Sequence, residues 1–328
     1  MFKKFLFALV LSNLWLAGAA IAQTKQIKVG VIFDMSGPLA AGGSNASYLG
    51  TKYAIDLMNE RGGVEGHKIV PIYVDAQSKT EVAINETERL LNQEKVDVIL
   101  GVFSSAQCVP MAQRVDQAKK FMWANVCVSS AVFKDKNLKY VFRPQVHSDQ
   151  MGEASCRFLG ENSKAKLGKE VKDLKVAIIY EDGPYGAGVA SGNDLVCKQL
   201  GMQVVLKEGY AATSPDLSPL VTKLRRAKPD IILHTGYNPD ITLFLRQAKE
   251  QGLKWDALIG HGAGHGQFDK LYATFKDDAN LIMNVDPVAA QLLDAKTLKP
   301  GMGALTAEMI KRYKADVKGD EIPTHVSM

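Results

Sequence analysis

Short apolar runs alternate with amphipathic stretches along most of this chain. Strand-sized runs stand at 27–33, 68–74, 96–102, 121–128 and 140–142, and again at 174–180, 202–207, 230–234 and 256–259. Between them, apolar positions recur at helical spacing over about 48–61, 79–93 and 107–119, then 149–162, 187–200, 216–227 and 239–251. In the first of these Ala54, Ile55, Leu57 and Met58 form the apolar face, and Gly62-Gly63 stop the helix. This β-α-β-α rhythm predicts parallel sheets covered by helices.

The two sets of elements echo each other. Lys28-Val-Gly-Val-Ile-Phe-Asp is matched by Lys175-Val-Ala-Ile-Ile-Tyr-Glu, and each strand runs into a Gly-Pro turn, Gly37-Pro38 and Gly183-Pro184. Val96 to Ser105 is matched by Pro229 to Asn238, an apolar strand that opens into a small polar loop. The expected fold is α/β, with two Rossmann-like halves in tandem. Open parallel sheets bind ligands at the carboxyl ends of their strands, and a cleft between two such halves is a usual place for a small molecule. From Gln267 onward the material is new: a strand about Ala279 to Met283, then a helix over 302–315. A return to the first half is expected there. Ile322 to Met328 carry no helix stop, so the chain is expected to end within a domain.

Composition narrows the function. The 328 residues suffice for two ordinary domains, and 46% apolar content supports real cores. The net charge of +5 is spread as single lysines such as Lys119 and Lys120, with no basic cluster interleaved with aromatics, so nucleic acid is not an expected partner. Residues 1–22 read as a secretory signal peptide: Lys3-Lys4, an apolar run from Phe5 to Ile21, and Ala20-Ile21-Ala22 as the cleavage site. No Cys follows that site, so a lipid anchor is not expected, and no later stretch has the ~18 apolar residues of a membrane span. An exported chain can pair its four cysteines. Cys108 and Cys127 straddle one helix, and Cys156 and Cys197 lie on helices either side of the strand at 175–180, so pairing within each half is expected.

The candidate chemistry is that of binding. Ser104-Ser105 stands between a strand and a helix, where hydroxyls and unpaired backbone N–H groups suit an anion, although serine also caps helices in countless other places. Ser129-Ser130 repeats the arrangement one strand later. Tyr185 and Tyr237 sit at strand tips of the second half and offer an aromatic body with a polar end. Gly260 to Gly266, with His261 and His265, has the wrong spacing for a dinucleotide loop, and no clear helix is expected directly after it. No metal site is expected from the two histidines. Asp34, Asp75, Glu181 and Asp182 stand near strand ends but on different strands, and caps or solvated loops are their expected roles. No nucleophile elbow, Walker loop or His-Glu-x-x-His occurs, so an enzyme is not expected.

These residues carry a resemblance. Lys28-Val-Gly-Val-Ile, Ser36-Gly37-Pro38, Gly50, Asn59-Glu60-Arg61-Gly62-Gly63-Val64, Gly101, Ser104-Ser105, Tyr140-Val141-Phe142-Arg143, Tyr185-Gly186, Tyr237-Asn238-Pro239 and Leu245-Arg246-Gln247-Ala248 stand in one order over about 25–265. In order and spacing the chain resembles the periplasmic substrate-binding proteins of branched-chain amino acid ABC transporters, of the leucine/isoleucine/valine-binding type. The resemblance implies a type I binding protein with two lobes that close on a solute. Lobe one would be 24–145 plus 267–328, and lobe two 146–266. It also implies a chain truncated within lobe one, a periplasmic location, an inner-membrane permease as partner, no cofactor and a monomer. The family's carboxylate-holding positions fall on Ser105 and Ser129, with neighbouring backbone from Ser104 and Val128, and its lobe-two tyrosines on Tyr185 and Tyr237.

Two departures bear on the ligand. The acidic residue that holds an α-ammonium in the amino-acid binders falls on His261 or Gly262, and neither supplies a carboxylate. A buried ammonium without a partner is costly. Near the first Gly-Pro loop, Gly42 stands where the amino-acid binders often carry a Tyr, which leaves room. The expected ligand is therefore a carboxylate without an α-ammonium, such as an aromatic or other bulky organic acid, with His261 donating to a second polar group. A sensory module for a receptor and a secreted hydrolase are the competing readings. The first would need a signalling partner, and the second converging catalytic groups.

Overall fold

The computed structural model describes residues 26–317. The signal-peptide reading of 1–22 and the final residues 322–328 lie outside it. Two five-stranded, wholly parallel sheets form the frame. The first has the order β2-β1-β3-β4-β5, from β1 (Gln26–Phe33), β2 (Lys68–Asp75), β3 (Val98–Gly101), β4 (Phe121–Ala124) and β5 (Val141–Phe142). The second has the order β10-β9-β8-β6-β7, from β6 (Lys175–Glu181), β7 (Gln203–Tyr210), β8 (Ile231–Thr235), β9 (Ala257–His261) and β10 (Ile282–Val285).

Helices cover the sheets as the periodicity requires. In lobe one α1 (Asn45–Glu60), α2 (Thr80–Asn92) and α3 (Ser105–Gln117) follow the first three strands. One face of that sheet buries Ile32, Ile99 and Met122 under Leu90 and Leu91 of α2 and Met111, Ala112 and Val115 of α3. In lobe two α4 (Ser148–Leu167) and α5 (Pro184–Gln199) pack on one face, and α6 (Ser218–Ala227) and α7 (Asn238–Glu250) on the other.

The closest helix packing is between α4 and α5. A Cβ on Gly152 would stand 2.3 Å from the Val189 carbonyl oxygen, and one on Gly192 would stand 2.4 Å from that of Asp149. Only glycine permits that approach. A disulfide between Cys156 and Cys197 ties the same two helices, and a second joins Cys108 to Cys127 in lobe one.

Two expectations are corrected. The strand near 279–283 does not rejoin lobe one at residue 267. As β10 it pairs with β9, Ile282 opposite Leu258 and Val285 opposite His261, and so extends the second sheet. The apolar faces that lobe two leaves open beside β9 decide this: Ile282 packs with one of its cores and Met283 and Val285 with the other. The return comes later, with α9 (Met302–Val317), whose Arg312 grips Glu60 of α1 at 2.6 and 3.0 Å. A helix does follow the glycine run. Ala263–Gly266 form a 3-10 turn and α8 (Phe268–Phe275) opens after it, burying Leu271. Glycines hide a helix start because they carry no side-chain periodicity.

Candidate functional site

The strand order reverses at β1 in lobe one and at β6 in lobe two. Open α/β sheets hold ligands outside the carboxyl ends of the strands at such a reversal. Across the cleft the loop after β3 meets that after β8 through Phe103 and Tyr237, and the loop after β4 meets that after β6 through Ser129 and Pro184.

On the lobe-one side, Ser104 is the N-cap of α3 and Ser105 its first residue, and both are buried. The first N–H groups of α3 have no partner within the helix, and its dipole favours an anion there. The Ser105 hydroxyl accepts from Ser129 N–H at 3.2 Å, which leaves its proton free to donate. The Ser129 hydroxyl accepts from Ala131 N–H at 3.2 Å and donates across the cleft to the Pro184 carbonyl at 2.8 Å. Arg143 donates to the Ser129 carbonyl at 2.8 Å and fixes the loop. Val128 is half-buried, and its carbonyl accepts from Ser148 N–H at 2.8 Å where the chain enters lobe two.

On the lobe-two side, Tyr185 lies in the first turn of α5 and Tyr237 caps α7. Their ring centroids are 5.5 Å apart, and that of Tyr237 is 6.2 Å from Phe103 of lobe one. The Tyr237 hydroxyl has Ser104 as its hydrogen-bonding neighbour, and burial above all pushes its pKa well up. Asp240 fixes this residue by accepting from Tyr237 N–H at 2.9 Å. The same carboxyl accepts from the Tyr210 hydroxyl at 2.6 Å, and burial first of all raises its pKa to about 7. The Tyr185 hydroxyl donates to the His261 carbonyl.

His261 does not face a ligand. Its ring is fully buried inside lobe two, where Nδ1 meets Thr235 Oγ1 at 3.0 Å and Nε2 meets Ser155 Oγ at 3.0 Å. Burial pushes its pKa down to about 4, so the ring is neutral, and only its carbonyl reaches the cleft wall. The expectation that it donates to a ligand is corrected for this reason. Gly262 is at the cleft with φ +54°, and a Cβ there would stand 3.1 Å from the Tyr185 hydroxyl and 3.2 Å from Met151. Gly42 is buried, and a Cβ on it would meet only the Cβ of Asn238 in lobe two, at an ordinary contact distance of 3.9 Å. Lys270 of α8 closes the same seam with a 2.8 Å bond to the Ala41 carbonyl.

The carboxyl groups near the other strand tips are engaged in architecture. Asp34 accepts from Ser78 N–H and Gln107 Nε2, Asp75 from the N–H groups of Met35, Ser36 and Gln77, and Glu181 from Gly183 and Gly186 N–H. Asp286 differs. It follows β10, is half-buried, and its Oδ1 lies 3.8 Å from the Cβ position of Gly262. Burial alone raises its pKa to about 7. Assigning the chain beyond residue 266 to lobe one concealed it; the signal was an Asp directly after an apolar strand. Among the described residues no three His, Cys, Asp or Glu groups converge to hold a metal ion, and no helix is long and apolar enough to cross a membrane.

A profile of the periplasmic binding protein family matches residues 26–328. Leu/Ile/Val-binding protein homolog 7 of Brucella suis is 34% identical over 311 residues, 95% of this chain and 76% of that relative. Among solved structures, the branched-chain amino acid transporter substrate-binding protein LivJ of Streptococcus pneumoniae, in complex with isoleucine, aligns with a TM-score of 0.74 at 22% identity, over 92% of this chain and 81% of that one. A solute-binding protein of an ABC transporter from Rhodopseudomonas palustris, in complex with 3,4-dihydroxybenzoic acid, aligns with a TM-score of 0.70 at 21% identity, over 89% and 74% of the two chains.

Proposed function

This chain belongs to the periplasmic binding protein family, and from that premise we propose that it captures a small carboxylate-bearing solute in the inter-lobe cleft and delivers it to an inner-membrane ABC permease. It works as a periplasmic monomer and performs no chemistry on its cargo. The observation that carries this reading is the meeting, at two topological switch points, of the α3 N-terminus with Ser105 and Ser129 on one side and Tyr185 and Tyr237 on the other. Hydroxyls, unpaired N–H groups and a helix dipole favour a carboxylate. The aromatic wall favours the apolar body attached to it. The ligands in the two solved structures above, isoleucine and 3,4-dihydroxybenzoic acid, both carry a carboxylate.

Each lobe supplies part of the site, so a solute binds the closed arrangement better than the open one. It shifts that equilibrium by its differential affinity and no more. A permease that docks on both lobes then distinguishes loaded from empty protein. The test is thermal unfolding of the mature protein with branched-chain amino acids, aromatic acids and aliphatic acids. A ligand at a hundredfold excess over its Kd stabilises the native state by ~2.7 kcal/mol. A stabilising set confined to carboxylates supports the reading. Stabilisation by sugars or amines without a carboxylate overturns it.

A further inference from the structure

At the amino ends of β9 and β10, on the side of lobe two away from the cleft, the core opens to the surface. Leu245 of α7, Leu253 and Trp255 of the loop before β9, Phe275 at the end of α8 and Ile282 at the start of β10 surround a cavity of about 200 Å³. All five belong to the core under α6 and α7 or pack against it. Leu245 and Leu253 are buried, and Trp255, Phe275 and Ile282 are half-buried. Protein cores leave few voids larger than a water molecule, because close packing supplies much of their cohesion. Here four elements meet and their apolar side chains do not close the gap.

The mouth of the cavity is charged. Lys249, Lys254 and Asp278 stand there. Lys249 donates to Asp278 at 2.5 Å, so those two charges offset each other. Lys254 is exposed and pairs with no carboxylate among the described residues. One unmatched ammonium therefore borders an apolar floor. Gly252 supplies the way in: it stands at the rim with φ +63°, and a Cβ there would meet nothing within 4 Å.

We propose that this cavity is a second small-molecule site, separate from the cleft, for a single-ring aromatic acid. The size sets the apolar part, since apolar cavities of about 150 Å³ take a benzene-sized molecule. A longer chain or a fused ring system overfills the space. Trp255 and Phe275 offer ring faces and edges to an aromatic guest, which favours it over an aliphatic one of equal area. The charge sets the polar part: the ring enters, and its anionic group stays at the mouth against Lys254, half in water. A cationic guest meets that ammonium with like charge. This site is independent of what the cleft binds. Trp255 stands roughly 20 Å from the cleft end of β9, six residues back along an extended strand.

The probes are 4-fluorobenzoate, 4-fluorobenzyl alcohol and 4-fluorobenzylamine, which share a ring and differ in charge. Each is titrated into the 15N-labelled mature protein, and the indole N–H signals of Trp123 and Trp255 are followed by NMR. Trp123→Phe assigns the two signals. The Trp255 signal should move saturably with 4-fluorobenzoate, with a Kd of about 1 mM or tighter for a ligand of about ten non-hydrogen atoms. The Trp123 signal should stay in place. The alcohol should bind about fivefold more weakly, the worth of one exposed ion pair, and the amine more weakly still. Lys254→Ala should bring the acid down to the level of the alcohol and leave the alcohol unchanged. Ile282→Phe, which fills the floor, should stop the Trp255 response to all three probes. A Trp255 signal that does not move with the acid overturns the site. So does a response that Ile282→Phe leaves intact, and an acid preference that survives Lys254→Ala overturns the charge assignment that defines the ligand.

Discussion

Replacing Ser129 with alanine separates a lobe latch from a ligand contact. The Ser129 hydroxyl makes two bonds in the closed arrangement: it accepts from Ala131 N–H at 3.2 Å within its own lobe and donates to the Pro184 carbonyl at 2.8 Å across the cleft. Each bond contributes about 0.5–1.5 kcal/mol net. The first exists whether the cleft is open or closed, so its loss lowers the stability of both forms equally. The second exists only when the lobes meet, so its loss shifts the closed-to-open ratio by about 1 kcal/mol, roughly fivefold. Small-angle X-ray scattering, or energy transfer between dyes placed on the two lobes, reads that ratio without any ligand. Urea unfolding reads the shared part. Ser129→Ala should open the unliganded protein about fivefold, and Ser129→Thr, which keeps the hydroxyl, should restore most of the closure. An unchanged closure ratio in Ser129→Ala, together with a tenfold loss of ligand affinity, would refute the latch and assign the hydroxyl to the ligand alone.

Three further outcomes follow from the packing and the buried charges. Removing the Cys156–Cys197 bridge, with 41 residues between its ends, should cost ~4 kcal/mol of unfolding free energy, and removing Cys108–Cys127, with 19, ~3 kcal/mol, by loss of loop constraint in the unfolded chain; the reverse order in urea titrations of the two double-serine variants would contradict that origin. Gly152→Ala should destabilise by ~1–3 kcal/mol, because its Cβ would meet the Val189 carbonyl at 2.3 Å in a contact that backbone cannot vacate; an unchanged melting temperature would show that α4 and α5 separate freely. His265 is fully buried, neither ring nitrogen has a hydrogen-bond partner among the described residues, and burial holds its pKa at about 3. A lowered folded pKa means that the unfolded chain takes the proton first. Its contribution is complete above the ordinary value of 6.5 and is lost as pH falls from there towards 3, by ~1.4 kcal/mol per pH unit. His265→Leu should therefore melt higher than wild type at pH 5 by more than at pH 8, and a difference independent of pH would sink the reasoning.

The two-lobe plan is legible because it rests on period alone. Lys28 to Asp34 and Lys175 to Glu181 are apolar runs too short for helices, each followed by a turn and an amphipathic stretch, and the parallel sheet follows from that order. Ser104, Ser105, Ser129, Tyr185 and Tyr237 are legible as strand-tip residues for the same reason, and the structure brings all five to the cleft walls. Three features were not legible, and each is decided by tertiary contact. Leu281 to Val285 reads as the same strand whichever sheet it joins; only the open edge of β9 selects it. His261 and Gly262 are neighbours at one strand tip, yet alternation sends the His261 ring into lobe two among Ser155, Asn193 and Thr235. Asp286 became a cleft residue only once β10 was placed.

The two walls of the cleft are built from different chemistry, and that asymmetry has a physical reason. Lobe one presents neutral donors: the α3 N-terminus and the serine hydroxyls, whose partial charges are fixed by backbone geometry and do not titrate. Lobe two presents rings and a carboxyl, and it holds them by a buried polar interior. Tyr237 is set by Asp240, Asp240 by Tyr210, and Tyr210 by His234 at 2.7 Å, with His261 anchoring the strand beside them. Burial keeps the histidines neutral and raises Asp240 to about 7, so the network is least costly in the pH range where neither class must ionise. The sign differs for the two classes. A raised acid such as Asp240 favours the fold below its ordinary value of 3.8, and that advantage is lost as pH rises through 7. A lowered histidine such as His261 favours it above 6.5, and that is lost as pH falls through about 4. The two slopes oppose each other between pH 4 and 6.5, so the stability of lobe two changes less across that range than either group alone would make it.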